Sequence, residues 1–244
     1  MSLKGIKLVT FDVTNTLLKF KVPPWQYYTT VAKDHGYLGT ADDIIKSRFF
    51  NNMKTMRKEH PNYGKTTISW EKWWSDLVKM TFKDQLPATA NLDYMASQII
   101  NDYKTSKCWY VADGACNILA YLKKKNLPIG IISNFDPRLY SILEDISLHG
   151  KIDFILASYD IGYSKPDQRI FKKAIEMSKQ NIKPDEALHI GDDLEKDYDG
   201  ARAAGWHAIL VNPNMNTETK PAPNHVFDNL KALYESIEQE NLKL

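Results

Sequence analysis

Apolar residues follow two different patterns along the chain. Residues 6–11, 129–132, 154–157, 188–190 and 208–211 are short runs dense in Ile, Leu and Val. Between the second and the fifth of these lie stretches with helical spacing, at 137–148, 167–179 and 196–204. Near-continuous apolar runs joined by helical crossovers are how strands buried on both faces of a parallel sheet read in sequence. Helix starts at Asp136-Pro137 and Asp167, and a stop at Gly205 before the last run, agree with that reading. The pattern predicts an α/β fold, a doubly wound Rossmann-like parallel sheet with the first strand central.

Residues 19–108 read differently, with helical amphipathic spacing and no strand-like run. Trp70, Trp73, Trp74, Leu77 and Val78 share one face behind Ser69 as cap, and Ile45, Phe49, Met53 and Met56 share another behind Thr40. Pro61-Asn62-Tyr63-Gly64 is a turn between them. Tryptophans at helical spacing make helix–helix core more often than a ligand box. The chain therefore divides into a core of residues 1–18 and 109–244 and an inserted α-helical cap domain of residues 19–108. Residues 212–224 are the most loop-like stretch, and 229–240 read as a closing helix.

Composition narrows the function classes. Lys and Arg total 32 against 30 Asp and Glu, a net charge of +2, which gives no electrostatic case for nucleic acid or an anionic membrane as partner. The one basic run, Lys123-Lys124-Lys125, reads as a solvated helix end. Two cysteines, Cys108 and Cys116, are too few for a disulfide framework and suit a reducing compartment. Asp12 interrupts the first apolar stretch too early for a signal peptide, and no segment is long enough to span a membrane. A soluble protein of the cytoplasm is expected; oligomeric state leaves no signal.

The chemistry lies at the ends of the apolar runs. Asp12 closes the first, Ser133-Asn134 the second and Gly191-Asp192-Asp193 the fourth, while Ser164-Lys165-Pro166 lies downstream of the third. Ligands gather beyond the carboxyl ends of parallel strands, so these four segments can converge on one crevice. A lone aspartate after a strand is usually a turn-former or helix cap, and Asp136, Asp167 and Asp185 take that reading. Four segments in order supply a nucleophilic carboxylate, phosphate-oxygen donors, a fixed cation and a carboxylate cluster for a metal. His189 and His207, in or beside strands and without metal-ligand partners nearby in sequence, read as structural.

These motifs resemble the haloacid dehalogenase-like hydrolase superfamily. The residues that carry the resemblance are Phe11-Asp12-Val13-Thr14-Asn15-Thr16-Leu17, Ile132-Ser133-Asn134-Phe135-Asp136, Ser164-Lys165-Pro166-Asp167 and Gly191-Asp192-Asp193 with Asp197. The resemblance covers the whole core and implies that the helical insertion is the family's cap. It implies that Asp12 attacks a phosphoryl group, that Ser133 and the Asn134 N–H hold a phosphate oxygen, and that Lys165 orients Asp12 and offsets charge. It further implies Mg²⁺ held by Asp12, the Thr14 carbonyl and Asp192, with Asp193 and Asp197 as nearby ligands or orienters of water, and a small phosphorylated molecule as substrate. For Asp197 an ordinary first-turn helix carboxylate is the equal alternative. Asn15 stands where relatives often carry glycine, and asparagine best tolerates the left-handed backbone such a turn needs.

One part of the family's machinery is missing. Its phosphatases carry a second aspartate two residues after the nucleophile as general acid and base, and here that position is Thr14. A threonine hydroxyl does not titrate near neutral pH, and positioned acid–base catalysis contributes roughly 10²–10⁴-fold. Three readings stay open. Substrates with good leaving groups need no acid; an acid can come from Glu59, His60 or Tyr63 in the cap; or the protein is a weak or inactive member that binds a ligand or a partner protein. A metal-independent 2-haloacid dehalogenase ranks lower, since the carboxylates near Asp12 would repel a haloacid.

Overall fold

The structure is a computed structural model, and it describes residues 3–39, 42–211 and 221–244. The expected cap at Thr40 and most of the expected loop, 212–220, lie outside the described residues. The strands are β1 (Leu8–Phe11), β2 (Leu18–Phe20), β3 (Trp109–Val111), β4 (Ile129–Ser133), β5 (Phe154–Ala157), β6 (Ala187–Gly191), β7 (His207–Val211) and β8 (Val226–Phe227). The helices are α1 (Pro24–Asp34), α2 (Asp42–Glu59), α3 (Trp70–Phe82), α4 (Leu92–Asp102), α5 (Ala115–Lys124), α6 (Arg138–Asp145), α7 (Ser158–Ile161), α8 (Gln168–Met177), α9 (Gly200–Ala203) and α10 (Leu230–Glu238).

By internal contact the chain forms two units. The first comprises Met1–Lys19, Tyr110–Asn134 and Ser147–Leu244. Its parallel sheet has the order β5-β4-β1-β6-β7-β8, with β1 between β4 and β6. β1, β4 and β6 are fully buried along their length, which is why each reads as an unbroken apolar run. One face packs on a core that includes Leu8, Ile132, Phe171, Trp206 and Leu210. β1 pairs in register with both neighbours, Phe11 facing Ile131 on one side and Ile190 on the other. That register sets the carboxyl ends of the three strands side by side, and the residues just beyond them form the site. The five apolar runs all became strands of this sheet. β2 and β3 pair with each other as a separate two-stranded ribbon, and neither shows in the sequence pattern.

The second unit comprises Phe20–Trp109 and Phe135–Ile146. α3 begins as its sequence implies, with the Ser69 hydroxyl accepting the Lys72 N–H at 3.2 Å. Trp73, Leu77, Val78 and Phe82 are buried on its inner face. The expected turn carries three left-handed residues in succession, Asn62, Tyr63 and Gly64 with φ of 48°, 56° and 81°. Trp73 anchors it, donating its indole N–H to the His60 carbonyl at 2.9 Å and stacking edge-on against Tyr63. Trp73 is thus core and turn anchor, while Trp70 and Trp74 are only half-buried.

α6 lies after Ser133-Asn134 in sequence, yet by contact it belongs to this second unit. Asp136 does act as a turn-former, accepting the Arg138 N–H at 3.0 Å. It also takes the Arg138 guanidinium through Nε at 2.9 Å and Nη2 at 2.7 Å, and the Trp74 indole N–H at 2.8 Å. The guanidinium sits 4.2 Å from the centroid of the Trp74 ring. Both charged residues are buried.

Candidate active site

β1 delivers Asp12 to the carboxyl edge of the sheet, where the Asp12 N–H continues the strand ladder to the Ile190 carbonyl at 2.9 Å. Its carboxylate is buried, and the Ser133 hydroxyl at the end of β4 favours its ionised form. The Lys165 ammonium, 1% exposed, donates to Asp12 Oδ1 at 2.7 Å and to Asp197 Oδ1 at 2.5 Å. Asn134 holds Lys165 in place through two reciprocal bonds: its Oδ1 accepts the Lys165 N–H at 2.8 Å and its Nδ2 donates to the Lys165 carbonyl at 2.9 Å. Asp192 follows β6 directly and completes the group. Asp12, Asp192 and Asp197 each present a carboxylate oxygen, all within 4.8 Å of one another.

The turn after Asp12 survives the loss of glycine as expected. Asn15 adopts φ 60°, and its amide donates to Asp192 Oδ2 at 3.3 Å. Half-buried Thr14 forms a backbone bridge with Leu18 in the same turn.

Asp193 and Asp197, alike in sequence, part company in space. Asp193 caps the following turn, its carboxylate accepting the Lys196 N–H at 2.9 Å and the Lys196 ammonium. Its carboxylate is therefore turned to its own helix and stands outside the group of three. The segment 194–199 is a π-helical turn, one residue wider than an α-turn, and it carries Asp197 back under the end of β6. Asp197 Oδ1 receives Lys165 and His189 Nε2, the latter at 3.1 Å, and Oδ2 receives the Asp193 N–H at 3.0 Å. With both oxygens engaged, Asp197 is a fixed counter-charge and not an ordinary first-turn carboxylate.

Three carboxylates sharing one ammonium explain the electrostatics. Burial and the like charge of Asp197 raise the Asp12 carboxyl above its usual range, against the pull of Lys165 and Ser133. Burial, with Asp12 and Asp197 nearby, pushes Asp192 up to about 7. Burial works against ionised Asp197 too, but Lys165 and His189 outweigh it and hold that carboxyl well below the usual range. Lys165 is raised despite burial, because both aspartates favour its charge. Burial holds the His189 imidazole below its ordinary value.

A pH dependence follows. Asp192 titrates near 7 in the folded chain and about 4 when unfolded, so between those values the folded state binds the extra proton. Its contribution to stability is present at low pH and lost as pH rises through 7. Asp197 acts with the opposite sign, but only at pH below the unfolded carboxylate value. His189, held low by burial, acts in the opposite sense to Asp192 around its unfolded value of about 6.5, so Asp192 is read by difference. In melts with chelator, Asp192→Asn is expected to gain more over metal-free wild type at pH 8 than at pH 5.5. An equal gain at both pH values would contradict the crowding of Asp192.

A family model described as haloacid dehalogenase-like hydrolase matches residues 6–205. The chain belongs to the haloacid dehalogenase-like hydrolase family. It is 38% identical over 220 residues to the Rhythmically expressed gene 2 protein of Drosophila melanogaster, covering 86% of this chain and 84% of that one. It is 36% identical over 208 residues to haloacid dehalogenase-like hydrolase domain-containing protein 3 of Bos taurus, covering 84% and 82%. Among solved structures, the HAD-hydrolase YfnB of Bacillus subtilis, solved bound to magnesium, superposes with a TM-score of 0.69 at 19% identity, covering 96% of this chain and 99% of that one.

Two site features of this haloacid dehalogenase-like hydrolase escape sequence reasoning. His189 is not merely a structural filler of β6, since it bonds Asp197 directly. Gly191 leaves room that no side chain could share: a Cβ there would lie 2.2 Å from Asp197 Cγ. Gly191→Ala is therefore expected to displace the Asp197 carboxylate and destabilise the fold by about 1–3 kcal/mol, as overpacking does. Melting curves and a crystal structure of the variant check this; an unmoved Asp197 would refute it.

Proposed function

We propose that the protein is a phosphohydrolase or phosphotransferase that works through an aspartyl-phosphate on Asp12, with a small phosphorylated molecule of the cytoplasm as substrate. The observation that carries this reading is the buried Lys165–Asp12 contact beside two further carboxylates. Lys165 occupies Asp12 Oδ1, which leaves Oδ2 as the attacking oxygen. Oδ2 attacks phosphorus, the bond from phosphorus to the leaving group breaks, and the leaving group departs with the electron pair. Water then attacks the phosphorus of the acyl-phosphate, releasing inorganic phosphate and restoring Asp12. Ser133 and the Asn134 N–H hold a non-bridging phosphate oxygen, and Lys165 offsets charge on the same group.

Mg²⁺ fits the donor set. The crowding that pushes Asp192 up to about 7 is what a hard divalent cation relieves. Asp12, Asp192 and the Thr14 carbonyl would hold it, with Asp197 supporting from behind Lys165 and Asp193 no nearer than its own helix cap. When bound, it would supply Lewis-acid stabilisation of the transferring phosphoryl oxygens. The same three carboxylates disfavour a 2-haloacid, whose own carboxylate they would repel.

Thr14 leaves the leaving group without a proton donor on its own strand end, so we infer that good leaving groups are preferred. Aryl or acyl phosphates should turn over with Mg²⁺ while alkyl phosphates do not, and Thr14→Asp should extend turnover to the alkyl class by roughly 10²-fold or more. Absence of Mg²⁺-dependent turnover on every class would shift the weight to the second reading that Thr14 supports, a family member acting by binding a ligand or a partner protein.

A further inference from the structure

A continuous line of buried hydrogen bonds runs from the middle of the sheet to the nucleophile. Thr10 and His189 face each other in the β1–β6 register, and neither is exposed. The Thr10 hydroxyl lies 2.8 Å from His189 Nδ1, and His189 Nε2 lies 3.1 Å from Asp197 Oδ1. Asp197 Oδ1 receives Lys165, which in turn donates to Asp12. The imidazole edge packs at 82° against Phe171, which keeps the ring from turning.

We propose that His189 is a positioning residue, and that the Thr10–His189 pair fixes the Asp197 carboxylate and through it the Lys165 ammonium on Asp12. Hydrogen bookkeeping assigns the ring. A carboxylate oxygen only accepts, so Nε2 carries the hydrogen that faces Asp197. Nδ1 then has a lone pair and accepts the Thr10 O–H, which has only a poorer alternative in the Leu188 carbonyl at 3.4 Å. In the other tautomer two lone pairs would face each other between Nε2 and Asp197. The groups facing the ring are Thr10, Asp197 and Phe171, with Lys165 and Asp12 beyond Asp197, and no water is needed to complete the line. Without the imidazole, Asp197 keeps Lys165 on Oδ1 and the Asp193 N–H on Oδ2 but loses the His189 bond to Oδ1, so the carboxylate and the ammonium bound to it can shift together.

Three measurements test this, and only the kinetic one rests on the phosphohydrolase reading. Nitrogen-15 correlation spectra of the wild type should show His189 with hydrogen on Nε2 and a bare Nδ1; hydrogen on Nδ1 would overturn the assignment. A crystal structure of His189→Leu should show the Asp197 carboxylate and the Lys165 ammonium shifted relative to Asp12, and both groups unmoved would overturn the positioning role. In kinetics with an aryl phosphate, His189→Leu is expected to lower kcat roughly 10–100-fold with KM little changed, as loss of a supporting partner does. His189→Gln, which can still donate to Asp197, should recover most of that loss. Equal loss in the Leu and Gln variants, or none in either, would count against positioning. If the wild type itself shows no Asp12-dependent turnover, the phosphohydrolase reading falls, and the spectra and the variant structure still decide the role of His189.

Discussion

Asp12→Asn and Lys165→Met are expected to abolish the same activity while moving the melting temperature in opposite directions. On the proposed aspartyl-phosphate route each removes a group without which no acyl-phosphate forms, the first the proposed nucleophile and the second the ammonium that orients it. Loss of the preorganised cation alone should cost about 10²–10³-fold or more in turnover. Stability separates them. Asp12 is one of three carboxylates gathered round one ammonium, and burial and Asp197 already raise its carboxyl. Making it neutral relieves that repulsion, and Lys165 keeps Asp197 as partner. Lys165→Met does the reverse, leaving buried Asp12 and Asp197 without their cation. Breaking a buried pair from one side costs about 3–5 kcal/mol, which for a chain of this size is a fall of roughly 10 °C. Thermal melts in chelator at pH 7.5 compare the two, and the double variant should melt above Lys165→Met alone. If both single variants lose stability equally, the carboxylates are not in electrostatic competition and the assignment of Lys165 as their shared cation is wrong.

Arg138→Met is expected to be as damaging to stability. Asp136 is fully buried and accepts four hydrogen bonds, two of them from the guanidinium. Removing the arginine leaves the carboxylate with the Trp74 indole and one backbone N–H, and strips the cation from the Trp74 face. The cost should again be about 3–5 kcal/mol. Asp136→Asn combined with Arg138→Met removes both charges and should recover a large part of it. Melts of the two single variants and the double decide the matter: strictly additive losses would mean that the two residues do not act as a pair.

Much of this architecture is legible in the chain because burial is uniform. Five strands with both faces covered leave apolar runs, and Ser69 and Asp167 cap their helices through side-chain bonds that sequence position alone suggests. β2, β3 and β8 are invisible for the complementary reason. They span three, three and two residues, and Tyr110 in β3 is exposed, so no period can establish itself. At the site, Asp12, Ser133, Lys165 and Asp192 are readable because each closes or follows a run. Asp193 and Asp197 are not separable by spacing, since a π-helical turn, which sequence does not announce, decides which of them turns inward. His189 hides inside an apolar strand, where a polar residue reads as satisfied core until its partner across the sheet is known. His207 does match the structural reading, bonding the Asp185 carbonyl at 3.1 Å.

The chain passes between its two units four times, between 19 and 20, 109 and 110, 134 and 135, and 146 and 147. The cap is therefore not a cassette. A recombination event, or an engineer, exchanging residues 20–109 as a single insert would leave Asp136 and Arg138 behind, deprived of the tryptophan that receives them. Inheritance of a new cap requires two matched exchanges, the second immediately after Ser133-Asn134 at the end of β4. Exchange of whole caps is thereby made harder than substitution within the cap already present.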